Sequence, residues 1–450
     1  MTAVNLHLLD PLFTTSAMRD VFCDQARIQR MLDFEAALAR AQAQVGVIPE
    51  GIAQAIAKKC DAAQFDFAAL ARDAALVGNL AIPLVKQLTE LLNKDNDEAA
   101  KFVHWGATSQ DAIDTGLVLQ LRDALRLTEQ QLLELSSALV IQVNQHHNTL
   151  MVGRTWLRHA LPITFGLKAA GWLDAITRQR LRLEQIKERI FVLQFGGASG
   201  TLASLGADGV AVATALAREL ELTLPALPWH SHRDRVAEVG ATLALLVGTV
   251  GKIARDVSLC MQTDIAELAE PSASGRGGSS TMPHKRNPVD CAVVLSAAVR
   301  VPGLVSTLLA AMPQEHERGL GGWHAEWDTM PEIAMLAAGA LKRMTEVIVG
   351  LEVDARRMLA NLDSTNGLIM AEAVAMSLGA HIGRLKAYEV IEQACQRAIT
   401  QSRPLRDVLA EVPLIQTRFS ASELDKLMDP VNYLGSTQQF IDRVLTAARP

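Results

Sequence analysis

"VAEVGATLALLVGTVGKIA", residues 236–254, decides the fold. Glu238 and Lys252 are its only charges, and alanine, leucine and valine recur on every side of a helical projection. A helix with no polar face has to be buried all round. Residues 289–311 repeat the problem, with only Asp290 and Arg300 breaking an otherwise apolar stretch. The longest apolar run, "VGATLALLVGTVG" at 239–251, falls short of the ~20 residues that span a bilayer. One chain cannot easily enclose several such helices, whereas subunits that pool them into a shared bundle can. The pattern therefore predicts a homo-oligomer.

The helical period continues outward from these two stretches. In "RIQRMLDFEAALARAQAQVG" (27–46), Ile28, Met31, Leu32, Leu38 and Val45 recur at three- and four-residue steps until Gly46. Comparable patterns predict helices over 116–148, 162–192, 207–222, 234–268, 289–312, 331–361 and 368–400. Strand-like alternation is scarce, and Phe, Trp and Tyr make up only 4% of the chain, so the fold class is all-α. Loop-like breaks suggest an N-terminal helical domain over 1–110, a central bundle over 111–360 and a C-terminal helical domain over 361–450.

The 450 residues are 49% hydrophobic and 20% charged, a globular balance. A net charge of −6 argues against nucleic acid or an anionic membrane as partner, so a small anionic substrate would be held by local cations. Five scattered cysteines without a C-x-x-C pair, and no basic-then-apolar leader in the first residues, point to a reducing, cytoplasmic setting.

Four interhelical stretches carry unusual residue mixtures. In "VHWGATSQDAIDTG" (103–116), Thr108, Ser109 and Asp111 sit where a helix should begin. Hydroxyls and free amides there suit a carboxylate, though they would also serve as a plain cap. In "GRTWLRHALPITFG" (153–166), Arg154, Arg158 and His159 precede what reads as a proline-started helix. "PWHSHRDRVAE" (228–238) offers His230 and His232 but no third ligand at metal spacing, so hydrogen bonding at a helix entry is favoured over a metal. "GGSSTMPHKRNP" (277–288) gathers Ser279, Ser280, Lys285, Arg286 and Asn287 between two prolines that no helix passes easily. The glycine-rich "GGASG" at 196–200 lacks the βαβ setting of a nucleotide site, and no phosphate-loop or nucleophile-elbow motif occurs.

The last loop resembles the signature G-S-S-x-M-P-x-K-x-N of the fumarase/aspartase superfamily. "VHWGATSQDAIDT" is similar to that superfamily's H-x-G-x-T-S-x-D block, and "GRTWLRHALPITFG" to its G-R-T-H-x-x-x-A-x-P-x-T-F-G block. "MLDFEAALARAQAQVGVIPE" and "GRLKAYEVIEQACQRA" resemble the adenylosuccinate-lyase-like branch, so the likeness spans essentially the whole chain. It implies a homotetramer with a twenty-helix core, active sites shared between subunits, a small polycarboxylate substrate, and no organic cofactor; no metal is expected either, since the His230/His232 spacing completes no site. By the same resemblance Ser279, with Ser280 second, moves a proton at carbon, while Lys285 and Asn287 bind developing charge. Thr108, Ser109, Arg154, Trp156 and Arg318 would line the substrate, and His104 and His159 would orient it or supply a proton.

One position departs from the pattern. Where the superfamily's lyases carry a general-acid histidine after the Arg-Thr pair, this chain has Trp156, whose indole only donates. A departing amine or hydroxide needs protonation, but a carboxylate, with a parent pKa near ~4, does not. The expected reaction is therefore intramolecular addition of a carboxylate to a conjugated double bond, giving a lactone. "STMPHKRNP" and "GGWHAEWDTMPE" (321–332) resemble the lactone-forming branch. At the residue level the alternative is a packing Trp156 with another histidine, such as His159, recruited as acid. At the level of function the alternatives are adenylosuccinate lyase or another C–N/C–O lyase of the superfamily, and a non-catalytic relative of the lens-crystallin kind.

Overall fold

Cys23 and Gly46 bracket the helix predicted from the 27–46 pattern. The Cys23 Sγ accepts the amide of Ala26 at the start of α1 (Asp24–Val45), and Gly46, at φ +89°, closes it in the left-handed region. The computed structural model describes residues 8–272, 277, 278, 281, 282 and 284–448. Helices dominate these residues, as the all-α reading requires. The other long ones are α2 (Ser109–Gln145), α3 (Phe165–Ile190), α4 (Asp234–Cys260), α5 (Val289–Ala310) and α6 (Gly322–Val349). Two short antiparallel pairs join them: β1 (Leu150–Thr155) with β2 (Arg158–Thr164), and β3 (Leu268–Ala269) with β4 (Glu352–Val353).

The chain forms two compact units. The first comprises Met1–Leu132, Gln179–Gly251 and Val293–Lys342. Part of its core is built from α1 and the helices that follow it: Ile28, Met31 and Leu32 pack with Ile56, Phe65, Leu84, Leu88 and Leu92. Each such side chain contributes about 1.5–3 kcal/mol on burial. The second unit comprises Leu133–Arg178, Lys252–Ala292 and Arg343–Pro450. Its C-terminal helices close around Val374, Leu378, Ile391, Leu405, Leu409 and Leu424.

Several expected helices end earlier or start later, each for a local reason. The stretch 162–192 is not a proline-started helix. Pro162 lies in β2, paired with Val152, and α3 begins only at Phe165. There Gly166 is required, since a Cβ would meet the His147 Cα at 2.5 Å and the His146 carbonyl at 2.7 Å. The stretch 331–361 breaks after Val349. Asp354 then caps a separate helix, Ala355–Asp363, through the Arg357 amide. The stretch 368–400 breaks at Gly383, whose φ of +86° no helix accommodates. The expected 234–268 helix stops at Cys260.

The two all-round apolar helices are not enclosed within the chain. Leu245 on α4 is 54% exposed, and Val299 and Leu309 on α5 are 80% and 52% exposed. Gly248 and Gly303, on the same helices, have nothing within 4 Å of where a Cβ would stand.

Candidate active site

Asp111 organises the start of α2. It lies two residues past Ser109 and is fully buried. Its carboxylate accepts the amide of Thr108 at 3.0 Å, the amides of Gly196 and Gly197 at 3.0 and 2.9 Å, and the side-chain amide of Gln194 at 3.1 Å. His230 Nε2 lies 2.7 Å away. A buried carboxylate with this many donors is satisfied and rigid. The "GGASG" turn thus spends its first two amides on a protein carboxylate, and His230 serves the helix entry. His232 is exposed, and among the described residues no group of three His, Cys, Asp or Glu is placed to hold a metal.

With its capping handled by Asp111, the first turn of α2 leaves both hydroxyls free to face a cation. Arg318 donates to Thr108 Oγ1 at 2.7 Å, to Ser109 Oγ at 3.2 Å and to Gln110 Oε1 at 3.3 Å. Among the described residues no carboxylate pairs with this guanidinium. Thr108, Ser109 and Arg318 therefore form one cluster of oriented donors around an unneutralised charge, a composition suited to an anionic oxygen. His104, on the preceding turn, has φ +58°, and its Nδ1 lies 2.6 Å from Glu35 Oε1 on α1. Burial disfavours the charged imidazole, but Glu35 and then Asp111 outweigh it, so the His104 pKa is raised.

Below this turn lies a buried ion network. Arg233 donates to Asp114 at 2.7 and 3.0 Å and to Glu326 at 2.9 and 2.5 Å, while Trp323 Nε1 donates to Asp114 at 2.9 Å. Burial pushes the Glu326 carboxyl up against the pull of Arg233. Gln110 joins the two levels, donating to Asp114 at 3.1 Å and to the His230 carbonyl at 2.9 Å while accepting from Arg318. Such a network is weak evidence for net stability, but it fixes where α2, α4 and α6 begin.

In the second unit, the G-R-T block forms a hairpin rather than a helix entry. Arg154 pairs with His159 and Thr155 with Arg158, leaving Trp156 and Leu157 as a two-residue turn. Both have positive φ, +52° and +62°, a turn geometry that usually calls for Gly or Asn. Trp156 is 97% exposed and Leu157 81%. Beneath the tip, Arg154 grips Glu267 at 2.8 and 2.7 Å, and Asn361 donates to the same carboxylate at 2.9 Å. Glu267 is fully buried, so the Arg154 fork is committed to a protein anion. Partial burial, then Arg154 and Arg158, lower the His159 pKa.

The signature loop is anchored at its stem. Arg286 takes both Glu352 oxygens, at 2.7 and 2.8 Å, and also donates to the Glu270 carbonyl. The buried Glu270 carboxylate accepts the amides of Asp290 and Cys291, at 3.2 and 2.8 Å, capping α5. Asn287 donates its amide to the Gly277 carbonyl at 3.0 Å. Lys285 is exposed, and among the described residues no acid pairs with it. Ser279 and Ser280 lie outside the described residues.

Sequence reading missed Glu35, Glu267, Glu270 and Glu352. For Glu35 a signal existed: it occupies the apolar face of α1 between Met31, Leu32 and Leu38. The other three announce themselves only through partners remote in sequence.

Comparison with known proteins agrees with this architecture. A family model described as "Lyase" matches residues 12–303, and one described as "Adenylosuccinate lyase C-terminus" matches residues 367–444. The chain is 54% identical to 3-carboxy-cis,cis-muconate cycloisomerase of Pseudomonas aeruginosa, over 97% of this chain and 95% of that protein. It is 39% identical to nitrosuccinate lyase of Streptomyces davaonensis, covering 98% and 95%. The crystal structure of 3-carboxy-cis,cis-muconate lactonizing enzyme from Pseudomonas putida superposes with a TM-score of 0.93 at 52% identity, covering 98% of both chains.

Proposed function

The chain belongs to the lyase family of the fumarase/aspartase superfamily, and from that premise we infer that it is a cycloisomerase acting on 3-carboxy-cis,cis-muconate. One substrate carboxylate adds across a conjugated double bond to give a muconolactone. The observation that carries this reading is end-to-end identity of 54% with a named cycloisomerase. Trp156 at the general-acid position supplies the chemical reason. The attacking oxygen arrives already ionised, so no imidazole is needed there.

The step is redox-neutral. A C–O bond forms, one π bond is lost, and charge gathers on the carboxylate at the far end of the diene as an enediolate before a proton reaches carbon. Lys285 and Asn287 stabilise that charge, and donors aimed at charge that appears only in the transition state are what accelerate such a step. Ser279 delivers the proton, with Ser280 second in line, and in the reverse direction its oxygen is the base. Thr108, Ser109 and Arg318 hold a second carboxylate, while His104 and His159 orient the substrate. No organic cofactor and no metal enters this scheme.

The assembly in this reading is a homotetramer with shared sites, in which the 111–360 segment forms the central bundle between the 1–110 and 361–450 domains. The exposed leucine and valine faces of α4 and α5, and the open space at Gly248 and Gly303, support close helix–helix approach by other copies. A cytoplasmic setting is supported by five unpaired cysteines; burial pushes the Cys260 thiol up to about 11, far from reactive thiolate.

A spectrophotometric assay with the tricarboxylated diene and, separately, adenylosuccinate tests the reading. Turnover of the first alone is expected; cleavage of the second alone overturns it. Ser279→Ala should lose nearly all lactonisation, and near-normal turnover would remove the serine from its role.

A further inference from the structure

Glu35 is a carboxylate in a place built for leucine. It follows Met31 and Leu32 by one turn of α1 and precedes Leu38 by another, and its side chain is 1% exposed. Among the described residues its one hydrogen-bond partner is His104 Nδ1, at 2.6 Å. A carboxylate taken this far from water is costly unless a cation meets it. Neither lysine nor arginine is bonded to it, which leaves the imidazole. His104 reaches it with a backbone φ of +58°, on the left-handed side. Left-handed geometry at a non-glycine residue persists only where surrounding contacts hold it, and it gathers at functional sites.

The other edge of the ring is available. The His104 side chain keeps 16% of its surface exposed, and its Nε2 has no partner among the described residues. The charged groups facing it are Glu35 from α1 and Asp111 from α2. Asp111 is already occupied by the amides of Thr108, Gly196 and Gly197 and by His230. Arg318 stands on the same turn, bonded to Thr108, Ser109 and Gln110.

We propose that Glu35 is a positioning residue that holds His104 as an imidazolium with Nε2–H presented to a substrate carboxylate, so that His104 and Arg318 form a two-cation clamp at the start of α2. The raised pKa of His104 agrees with this geometry. The clamp rests on the cycloisomerase reading, in which a three-carboxylate substrate has more negative charge than the signature-loop lysine can meet. It also gives the chain a cation in the His104 block while the hairpin presents none at Trp156.

Two measurements test it. The first is the pH titration of His104 by NMR on the intact protein carrying labelled histidine, assigned with His104→Gln. Titration above the ordinary ~6.5 of imidazole is expected, and E35Q should bring it down. The second is the pH dependence of kcat and KM for the tricarboxylated diene. In the unaltered enzyme KM should rise on the alkaline side as His104 loses its proton. E35Q should move that limb to lower pH and raise KM near neutrality by about tenfold, the loss of one charge-assisted contact, with a smaller change in kcat. E35D, which keeps the charge, should largely restore both, and E35Q combined with His104→Gln should be no worse than His104→Gln alone. A purely structural glutamate would lower Tm in E35Q and leave the limb in place; that result, or a His104 titrating below imidazole, overturns the proposal. Should the protein fail to turn over the diene at all, the functional reading falls, while the NMR titration still decides the Glu35–His104 pair. If E35Q does not fold, the titration of the unaltered protein decides it.

Discussion

The turn at 104–111 and the hairpin tip at 154–159 both carry superfamily motifs, yet they are built in opposite ways. At the first, nearly every polar group has a partner within its own unit: Asp111 caps, Arg318 spans the hydroxyls, and the Arg233 network lies beneath. At the second, Arg154 is committed to Glu267 below, while Trp156 and Leu157 stand almost bare in left-handed conformations. An exposed apolar tip with positive φ at two non-glycine residues is unusual for a surface left to water, and the proposed assembly gives it a covering. The contrast separates a turn preorganised by the fold of one chain from a tip left open by it, which the proposed assembly would cover.

The sharpest way to break the comparison is to attack the network under the first turn. Asp114→Ala leaves Arg233 paired with Glu326 but takes a buried acceptor from Arg233, Trp323 and Gln110 at once, and should cost about 3–5 kcal/mol in urea unfolding. A loss below about 1 kcal/mol would mean the turn is not held from beneath, since ordinary surface changes cost about that little. Arg318→Ala should come next, lowering kcat/KM for the diene by about 10- to 100-fold with little change in unfolding midpoint, because it removes a charged contact that the fold does not need. If stability falls and KM holds, Arg318 is structural and the two regions differ less than proposed.

Acid–base behaviour should also divide them, by sign. The His104 pKa is raised in the folded protein, so its contribution to stability is complete below ~6.5 and fades as pH rises through the folded value. The His159 pKa is lowered, so its contribution is present above ~6.5 and is lost as pH falls. Thermal scans across pH should therefore show His104→Gln departing from the parent mainly in acid and His159→Gln doing the opposite. Parallel curves would remove the contrast. The smallest effect belongs to the tip: Trp156→His should change chain stability by no more than about 0.5 kcal/mol and should not speed lactonisation. A large gain would contradict the carboxylate argument.

Much of this was legible because helices declare themselves locally. Ile28, Met31 and Leu32 announce α1, and Thr108 with Ser109 announces the start of α2, through spacings set by 3.6 residues per turn. The hairpin at 150–164 was not legible as such. Its turn is Trp-Leu rather than Asn-Gly, and Pro162 suggested a helix start until strand pairing with Val152 overrode it. The breaks at Val349 and Gly383 were lost inside long apolar periods for the same reason: a single interrupting residue is a weak signal in a strong repeat.

By itself the sequence determined the class of helices, the surplus of apolar surface on α4 and α5, the signature loop and the absence of a histidine at position 156, because each is a matter of residue type and near spacing. Only the tertiary structure decided that Glu35 faces His104, that Arg154 belongs to Glu267, and that Arg318 serves the first turn of α2. Those partners lie 69, 113 and 210 residues apart, and a charged side chain finds its hydrogen-bond partners through folded space, where leaving a buried one unpaired is costly.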